Sequence, residues 1–155
     1  GTIARSGTLN KELLNQLNGL AFYNQKYPKS LGVEWVQAYF FPIINNCNIS
    51  TKDVLKTCVI HFASQINEAL LLKDNKGKVL LTGGGTFNSF FLETLRQSSL
   101  HEIVVPNKEI INFKEALIFA FLGVLKVRNE VNCLKSVTGA FKDHASGKIY
   151  YPKIS

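Results

Sequence analysis

Three consecutive glycines, Gly83–Gly85, stand where a short apolar run ends and a helical pattern begins. The run before them, Val79–Leu81, has the uninterrupted apolar character of a buried strand. A strand, a glycine turn and a helix N-terminus form a common anion-binding arrangement, because glycine allows close backbone approach and the first helical turn offers unpaired N–H groups. We therefore predict a phosphate-binding turn, with Asn88 one turn into the following helix, Thr86–Arg96, and facing the glycines. A purely structural tight turn explains a triple glycine equally well.

A single acid, Glu115, stands out in an otherwise apolar helical segment, Asn112–Lys126. Apolar side chains occupy most of the circumference of this segment, which predicts a helix buried on most sides. Charged side chains are seldom deeply buried without a partner. Glu115 is therefore either at the exposed edge of the helix or a functional acid directed into a cleft.

The cysteines and histidines show no spacing typical of a zinc site or a disulfide framework. We predict that the three cysteines are buried, reduced thiols in a cytosolic protein. His61 lies beside the apolar face of a predicted helix, where a packing role is expected in preference to a catalytic one. The residues concerned are Cys47, Cys58 and Cys133, and His61, His101 and His144.

The bulk composition is that of an ordinary globular protein. The 155 residues fit one domain, and 46% of them are hydrophobic. No apolar stretch approaches the roughly 20 residues of a membrane helix. The net charge of +7 is spread along the chain, which predicts a solvated basic surface, or a bias towards a phosphate-bearing ligand, and no nucleic-acid partner. The chain lacks methionine and begins at Gly1, as expected of a processed segment of a longer protein, although a cleaved tag also leaves a glycine.

The elements predicted before the glycine turn are mostly helical. Ser50 opens the clearest helix, with Ser50–Asp53 as a variant of the capping box, and this helix ends before the turn sequence Asp74–Gly77. The other expected features are a loop or strand remnant over Gly1–Gly7, a helix over Asn10–Asn18 capped by Thr8 and ended by Gly19, a turn at Tyr27–Ser30, an aromatic-rich helix Val33–Phe41 ended by Pro42, and a loop over Asn45–Asn48.

The second half of the chain alternates strands and helices. A β-α-β-α order from Lys78 to Lys126 predicts a right-handed parallel pair of strands with helices on the sheet. Ligands in such sheets bind beyond the carboxyl ends of the strands, which is where the glycines fall. The remaining expectations are a strand Glu102–Val105, a turn Pro106–Lys108, a loop Ser136–Ala140 and a last short strand Gly147–Pro152.

Five motifs, in the same order, resemble the C-terminal half of anhydro-N-acetylmuramic acid kinases. Residues 127–134 depart from that family, which commonly has a Gly and Pro-Gly-Asn segment there. The motifs are the tail of a D-x-x-G-x-x-A-x-x-G segment (Gly1, Ala4, Gly7), a PKS-x-G turn (Pro28, Lys29, Ser30, Gly32, with Leu31 where Thr is usual), the GGG-x-x-N turn within Lys78–Asn88, an EA-x-x-FA helix (Glu115, Ala116, Phe119, Ala120) and a VTGA loop within Ser136–Ala140.

The resemblance implies an α/β fold: part of the second RNase H-like lobe of the sugar kinase, Hsp70 and actin superfamily (the actin-like ATPase fold), with helix-rich layers on a small, mostly parallel sheet. It implies a single domain, 1–155, that is the C-terminal lobe fragment of a two-lobe cytoplasmic kinase. Gly83, Gly84, Gly85 and Asn88 would then contact the nucleotide, and Glu115 would approach the sugar. The implied reaction is ATP-dependent phosphorylation of 1,6-anhydro-N-acetylmuramic acid with hydrolytic opening of the anhydro ring, a step of peptidoglycan recycling.

The family's glycine-rich phosphate loop and its catalytic aspartate match nothing in this sequence. Phosphoryl transfer needs a positioned nucleophile and Mg²⁺ at the γ-phosphate. We therefore expect the chain to be inactive alone, with Mg²⁺ held mainly by a missing N-terminal lobe. The expected partners are ATP, the amino sugar and that lobe, and a homodimer is also allowed. The alternative is a non-catalytic actin-like-fold module for assembly or partner binding, supported by the aromatic segments Val33–Phe41 and Thr86–Phe91.

Overall fold

A computed structural model describes residues 1–26, 29–71 and 76–152. The chain divides into two compact units, 1–106 and 107–155. Within the described residues, no helix combines the length and the apolar character that crossing a membrane requires.

The first unit is arranged around a 21-residue helix, α5, Thr51–Leu71. The helices over residues 2–6, 11–18 and 89–98 pack against it. In order along the chain, the elements of this unit are α1 (Thr2–Ser6), α2 (Lys11–Asn18), a 3₁₀ turn (Ala21–Asn24), α3 (Val33–Trp35), a π-helical turn (Val36–Phe40), α4 (Phe41–Asn46), α5, β1 (Lys78–Leu80), a second 3₁₀ turn (Gly84–Phe87), α6 (Ser89–Ser98) and β2 (Glu102–Val104).

Two strands form a parallel sheet, in which Val79 of β1 pairs with Ile103 of β2. The predicted parallel pair and its two short strands are confirmed. The fold is therefore α/β and mostly helical, with a small parallel sheet.

The segment Gly1–Gly7 is helical from Thr2 to Ser6, so the predicted loop or strand remnant is wrong. Arg5 of α1 donates to Glu93 of α6, with 2.8 Å between Nη2 and Oε1, and its guanidinium lies 5.2 Å from the centre of the Phe90 ring. Gly7 lies so close to the carbonyl of Lys52 that an added Cβ would clash with it. A five-residue helix is unstable alone, so these long-range contacts stabilise it.

The helix α2 is confirmed, but Asn10 caps it in place of Thr8. Asn10 Oδ1 accepts from the N–H of Leu13 at 2.8 Å, and Gly19 follows the last residue as predicted. The Thr8 N–H instead donates to Asp53 Oδ1 at 2.6 Å. This hydrogen bond links the segment before α2 to the first turn of α5.

The predicted capping box of α5 is present in part. The Asp53 N–H donates to Ser50 Oγ at 3.4 Å, and Ser50 Oγ donates to Asp53 Oδ2 at 2.7 Å. The hydrogen bond from Ser50, followed by that from the Thr8 N–H, lowers the pKa of the Asp53 carboxyl. The predicted turns at Tyr27–Ser30 and Asp74–Gly77 lie partly outside the described residues.

The sequence predicted that Pro42 ends the aromatic-rich helix, and this prediction is wrong. The helical backbone runs through it from Val33 to Asn46, so Asn45 and Asn46 are helical and the loop begins at Cys47. A π-helical turn immediately precedes the Phe41–Pro42 step. The ladder of hydrogen bonds already departs from the α pattern there, so the missing proline N–H breaks no regular ladder.

Two apolar clusters form the core of the first unit. One is centred on Leu13, Leu17, Phe40 and Cys58, and the other on Ala63, Leu95 and Ile103. The three cysteines are free, but only Cys58 is buried, since Cys47 and Cys133 are half-buried. Burial, and secondarily Cys47, raises the pKa of the Cys58 thiol to about 11.

His61 is fully buried in this unit, as a packing histidine is expected to be. Its Nδ1 lies 2.6 Å from Asn18 Oδ1 and its Nε2 lies 2.8 Å from the Tyr23 hydroxyl. An amide oxygen only accepts, so Nδ1 carries the proton and Nε2 accepts from Tyr23. Burial lowers the pKa of His61 to about 4, so the ring is neutral at physiological pH.

The second unit contains one long helix, α7, Lys108–Val127, and a short one, α8, Lys135–Thr138. Asn107 caps α7 through a 2.9 Å hydrogen bond from the Ile110 N–H, so the helix begins four residues earlier than predicted. Residues 136–138 belong to α8, which ends at Gly139 with φ +70°, so the predicted loop over Ser136–Ala140 is wrong for most of its length.

The chain after α8 forms no strand within residues 147–152, contrary to the prediction. An antiparallel bridge joins Cys133 to His144 instead. The Asn132 side chain donates to the Leu122 carbonyl at 3.3 Å and accepts from the Ser146 N–H at 2.7 Å. These bonds attach the segment to α7 without a ladder of strands.

The large apolar side chains of α7 are mostly exposed, so the predicted burial of this helix on most sides is wrong for the described residues. Eight of them are between 46% and 75% exposed. They are Ile110, Phe113, Leu117, Ile118, Phe119, Phe121, Val124 and Val127. Apolar patches of this kind mark surfaces that another molecule or segment covers.

We expect the 155-residue chain to self-associate, because α7 presents these side chains to water. Leu117 is 70% exposed, and burying a leucine side chain contributes about 1.5–3 kcal/mol. Leu117→Ser should therefore weaken the association by roughly 10-fold or more. Light scattering over a concentration series measures this, and a wild-type chain that stays monomeric at high concentration would contradict it.

Candidate functional site

The glycine turn lies at the carboxyl end of β1, where the sequence places it. The Leu81 N–H donates to the Val104 carbonyl at 2.8 Å, which extends the pairing of β1 by one residue. Gly83 then adopts φ +96° and ψ 168°, a conformation essentially restricted to glycine. The backbone therefore turns away from the sheet at this residue.

Thr86 fixes the turn from inside. It is buried, and both its N–H (3.0 Å) and its hydroxyl (2.7 Å) donate to the Gly83 carbonyl. Two hydrogen bonds within the chain therefore hold the turn in this conformation.

Gly84 and Gly85 have no conformational need for glycine, because they begin a 3₁₀ turn that any residue adopts. A Cβ built on either one meets no atom within 4 Å. No neighbour in the described chain accounts for the absence of side chains at these two positions. A ligand lying against the backbone would account for it.

Asn88 is the N-cap of α6, so its predicted place one turn inside a helix is wrong. Its Oδ1 accepts from the N–H of Phe91 at 3.2 Å. The side chain lies against the backbone of Gly1. The contact of Asn88 with a nucleotide stays a prediction, and its role within the chain is to begin the helix.

Glu115 lies on α7 and is exposed. It belongs to the second unit, whereas the glycine turn belongs to the first. Its exposure fits both interpretations of this residue, an exposed helix edge and an acid directed into a cleft.

Lys29, from the Pro-Lys-Ser motif, binds within the first unit. Its amine donates to the carbonyls of Phe22 (3.0 Å) and Tyr23 (2.9 Å) and lies 4.8 Å from the centre of the Phe22 ring. Lys29 therefore stabilises the 3₁₀ turn Ala21–Asn24.

Thr82, directly before the glycines, is a feature that sequence reasoning missed. Its Oγ1 is buried and has no hydrogen-bond partner among the described residues. A buried hydroxyl without a partner costs about 1–3 kcal/mol. The only sequence signal was a hydroxyl residue between the strand and the glycines.

We expect Thr82→Val to leave the free energy of unfolding unchanged or to raise it, because the substitution removes an unpaired hydroxyl and keeps the shape of the side chain. Thr57→Val is the matched control. Thr57 is fully buried, accepts from the Asn10 N–H at 3.0 Å and donates to the Asp53 carbonyl at 2.7 Å. That variant should lose about 1–3 kcal/mol in urea unfolding. Equal losses in the two variants would show that Thr82 has a partner.

Within residues 1–26, 29–71 and 76–152, no three His, Cys, Asp or Glu side chains are grouped so that they could hold a metal ion.

The sequence profile of the family described as anhydro-N-acetylmuramic acid kinase matches residues 1–152. The chain is 31% identical over 160 residues to the anhydro-N-acetylmuramic acid kinase of Sulfurovum sp. (strain NBC37-1), covering 97% of this chain and 42% of the relative. It is 32% identical over 157 residues to the protein of that name from Aliivibrio fischeri, covering 97% and 42%. It is 27% identical over 162 residues to that of Saccharophagus degradans, covering 98% and 43%.

The chain thus spans about two fifths of the length of the curated relatives that it matches. The match of the family profile extends from Gly1 to Pro152 and includes every motif on which the resemblance rests. The chain belongs to the anhydro-N-acetylmuramic acid kinase family.

Proposed function

We propose that this chain forms part of the nucleotide and sugar cleft of an ATP-dependent kinase that phosphorylates 1,6-anhydro-N-acetylmuramic acid and opens its anhydro ring with water. The observation that carries the proposal is the position of Gly84 and Gly85, which offer bare backbone with open space beside it just beyond the carboxyl end of β1 and at the start of a helical turn. The identity of the sugar is inferred from the names of the relatives. The wider fold assignment, an RNase H-like lobe of actin-like ATPase type within a single domain, is part of the same proposal.

The turn would act by shape and backbone polarity. Gly83 directs the chain away from the sheet, and Thr86 holds that direction. Gly84 and Gly85 then offer bare backbone, against which a ribose or phosphate group can lie. The first N–H groups of a helical turn have no partner within the turn and favour anionic oxygens.

Glu115 is proposed to face the sugar. A carboxylate accepts hydrogen bonds from sugar hydroxyl groups, and the exposure of Glu115 leaves it accessible. We propose that Mg²⁺ and the catalytic base come mainly from the part of the family chain outside residues 1–152. The free thiols favour a reducing compartment, so we place the kinase in the cytoplasm.

The second candidate function is a non-catalytic module that binds a partner or assembles with copies of itself. Exposed aromatic side chains favour it, since Tyr39 and Phe41 are 56% and 46% exposed. A nucleotide-binding test separates the two functions, because the module does not need the bare backbone at Gly84.

We expect no phosphate transfer to the anhydro sugar by the purified 155-residue chain, because the phosphate loop and catalytic aspartate of the family match nothing in it. A chimera tests the kinase assignment itself, and we expect it to phosphorylate the sugar. In it, residues 1–152 replace the matched segment of the Sulfurovum protein, and ATP-dependent phosphorylation of the sugar is measured by mass spectrometry.

Turnover by the isolated chain above a no-enzyme blank would contradict the expected inactivity. A folded chimera that neither binds nucleotide nor phosphorylates the sugar would contradict the kinase assignment and favour the module.

A further inference from the structure

Seven of the eight exposed large apolar side chains of α7 lie on one side of the helix. Successive residues of an α-helix are about 100° apart around its axis. Five large apolar residues follow each other at spacings of three or four and so form one stripe, with Ile118 and Val127 widening it on either side to roughly half the circumference. We call these seven residues the apolar arc: Ile110, Phe113, Leu117, Ile118, Phe121, Val124 and Val127, each at least 46% exposed.

The opposite side of α7 has a different composition. Lys108, Asn112, Glu115 and Lys126 lie there, together with the large apolar residues Phe119 and Leu122. Glu115 is about 150° around the helix axis from the middle of the arc. Four of the six charged or amide side chains of α7 therefore lie opposite the arc, and they include the acid that the proposed function uses.

The width of the arc indicates what covers it. Pairing with a single helix of a second copy needs only the narrow seam of a coiled coil, whereas a helix that is apolar over half its circumference packs in a layer of a larger core. The family members contain that additional chain, since the matched segment is only 42% of the Sulfurovum relative.

We propose that the part of the family chain outside residues 1–152 packs on the apolar arc within the same molecule, and so holds α7 with Glu115 facing away from that contact. This inference rests on the proposed function, because it places the segment within a longer kinase. It adds the surface by which the two parts of the kinase join.

The test compares the accessibility of two phenylalanines, Phe121 in the arc and Phe119 on the opposite side. They are 59% and 70% exposed on the same helix, which makes them a matched pair. Each is replaced by cysteine, in the 155-residue chain and in the Sulfurovum chimera. The rate of maleimide labelling at each introduced thiol is then measured by peptide mass spectrometry, which separates it from Cys47, Cys58 and Cys133.

In the isolated chain at low concentration, we expect both thiols to react at similar rates. In the chimera, Phe121→Cys should react at least roughly 10-fold more slowly than Phe119→Cys, at every protein concentration. Equal rates in the chimera would overturn the proposal. Protection that disappears on dilution would also overturn it, because that result shows a second copy on the arc.

A second measurement applies if the chimera does not fold. The 155-residue chain is co-expressed with the remaining part of the Sulfurovum protein and purified through a tag on one of them. Co-purification that Phe121→Ser abolishes and Phe119→Ser preserves supports the proposal. Absence of a complex, or equal behaviour of the two variants, overturns it. None of these readouts depends on kinase activity, so failure of the proposed reaction is distinguishable from failure of this inference.

Discussion

The free energy of unfolding of the 155-residue chain should fall by on the order of 3 kcal/mol as the pH is lowered from 6.5 to about 4, because of His61. In the folded chain this imidazole is fully buried, and burial lowers its pKa to about 4. In the unfolded chain it titrates with an ordinary pKa near 6.5. Below pH 6.5 the unfolded state therefore binds a proton that the folded state does not, and the balance shifts towards unfolding.

The same linkage fixes the limits of the effect. Well above pH 6.5 His61 is neutral in both states and adds no pH dependence, and well below pH 4 it is protonated in both. The carboxyls of Asp53 and Glu93 have lowered pKa values, because of hydrogen bonds from Ser50 and Arg5 respectively. Their contributions to stability are lost as the pH falls through those lowered values, so they add a further decrease at more acidic pH.

Urea unfolding at a series of pH values tests this expectation. His61→Gln should remove most of the slope between pH 6.5 and 4, since no imidazole remains to titrate. Tyr23→Phe is the control. It deletes the hydroxyl that donates to His61 Nε2 but leaves the His61 imidazole buried, so the dependence of stability on pH should persist at a lower overall stability. A flat profile for the wild type, or a full slope in His61→Gln, would contradict the assignment.

Elements that depend on local signals were predictable from the sequence. The helices α2 and α5 have apolar faces at helical spacing and side-chain caps, and both strands are short apolar runs next to turn residues. These features act within a few residues, so the chain specifies them locally.

Elements that depend on distant contacts were not predictable. The helix α1 requires Arg5 to bind Glu93, 88 residues away in the sequence. The passage of a helix through Pro42 depends on a π-helical turn, for which the sequence offered no sign. The exposure of α7 has another origin, because an apolar helix predicts a covering layer but does not say which part of a protein provides it.

The site was predictable in position but not in detail. The glycines do follow a strand, as the apolar run Val79–Leu81 indicated. Sequence alone does not distinguish three identical residues, however, and the structure gives the positive φ to Gly83 and not to Gly84. Asn88 could equally have been inside a helix or at its start, since asparagine is also a favoured N-cap.

We expect substitutions of the three glycines to separate the stability of the turn from its ability to bind nucleotide. Gly83→Val forces a branched side chain into φ +96° and ψ 168°, and should lower the free energy of unfolding by about 1–3 kcal/mol. Gly84→Val meets no atom within 4 Å, so it should change stability far less. In the Sulfurovum chimera, the same substitution places two methyl groups where the nucleotide is proposed to lie, and should weaken its binding at least roughly 10-fold.

Calorimetric titration with a non-hydrolysable ATP analogue measures the binding, and urea unfolding measures the stability. Gly123→Val is the matched control. An added Cβ at Gly123 also meets no atom within 4 Å, but Gly123 lies on α7 and not in the glycine turn. Asn88→Ala should cost about 0.5–2 kcal/mol of stability through loss of the helix cap. Glu115→Gln should leave nucleotide binding nearly intact and reduce sugar turnover. If Gly84→Val binds the analogue as tightly as Gly123→Val does, the glycines form only a turn, and the nucleotide site lies elsewhere in the family chain.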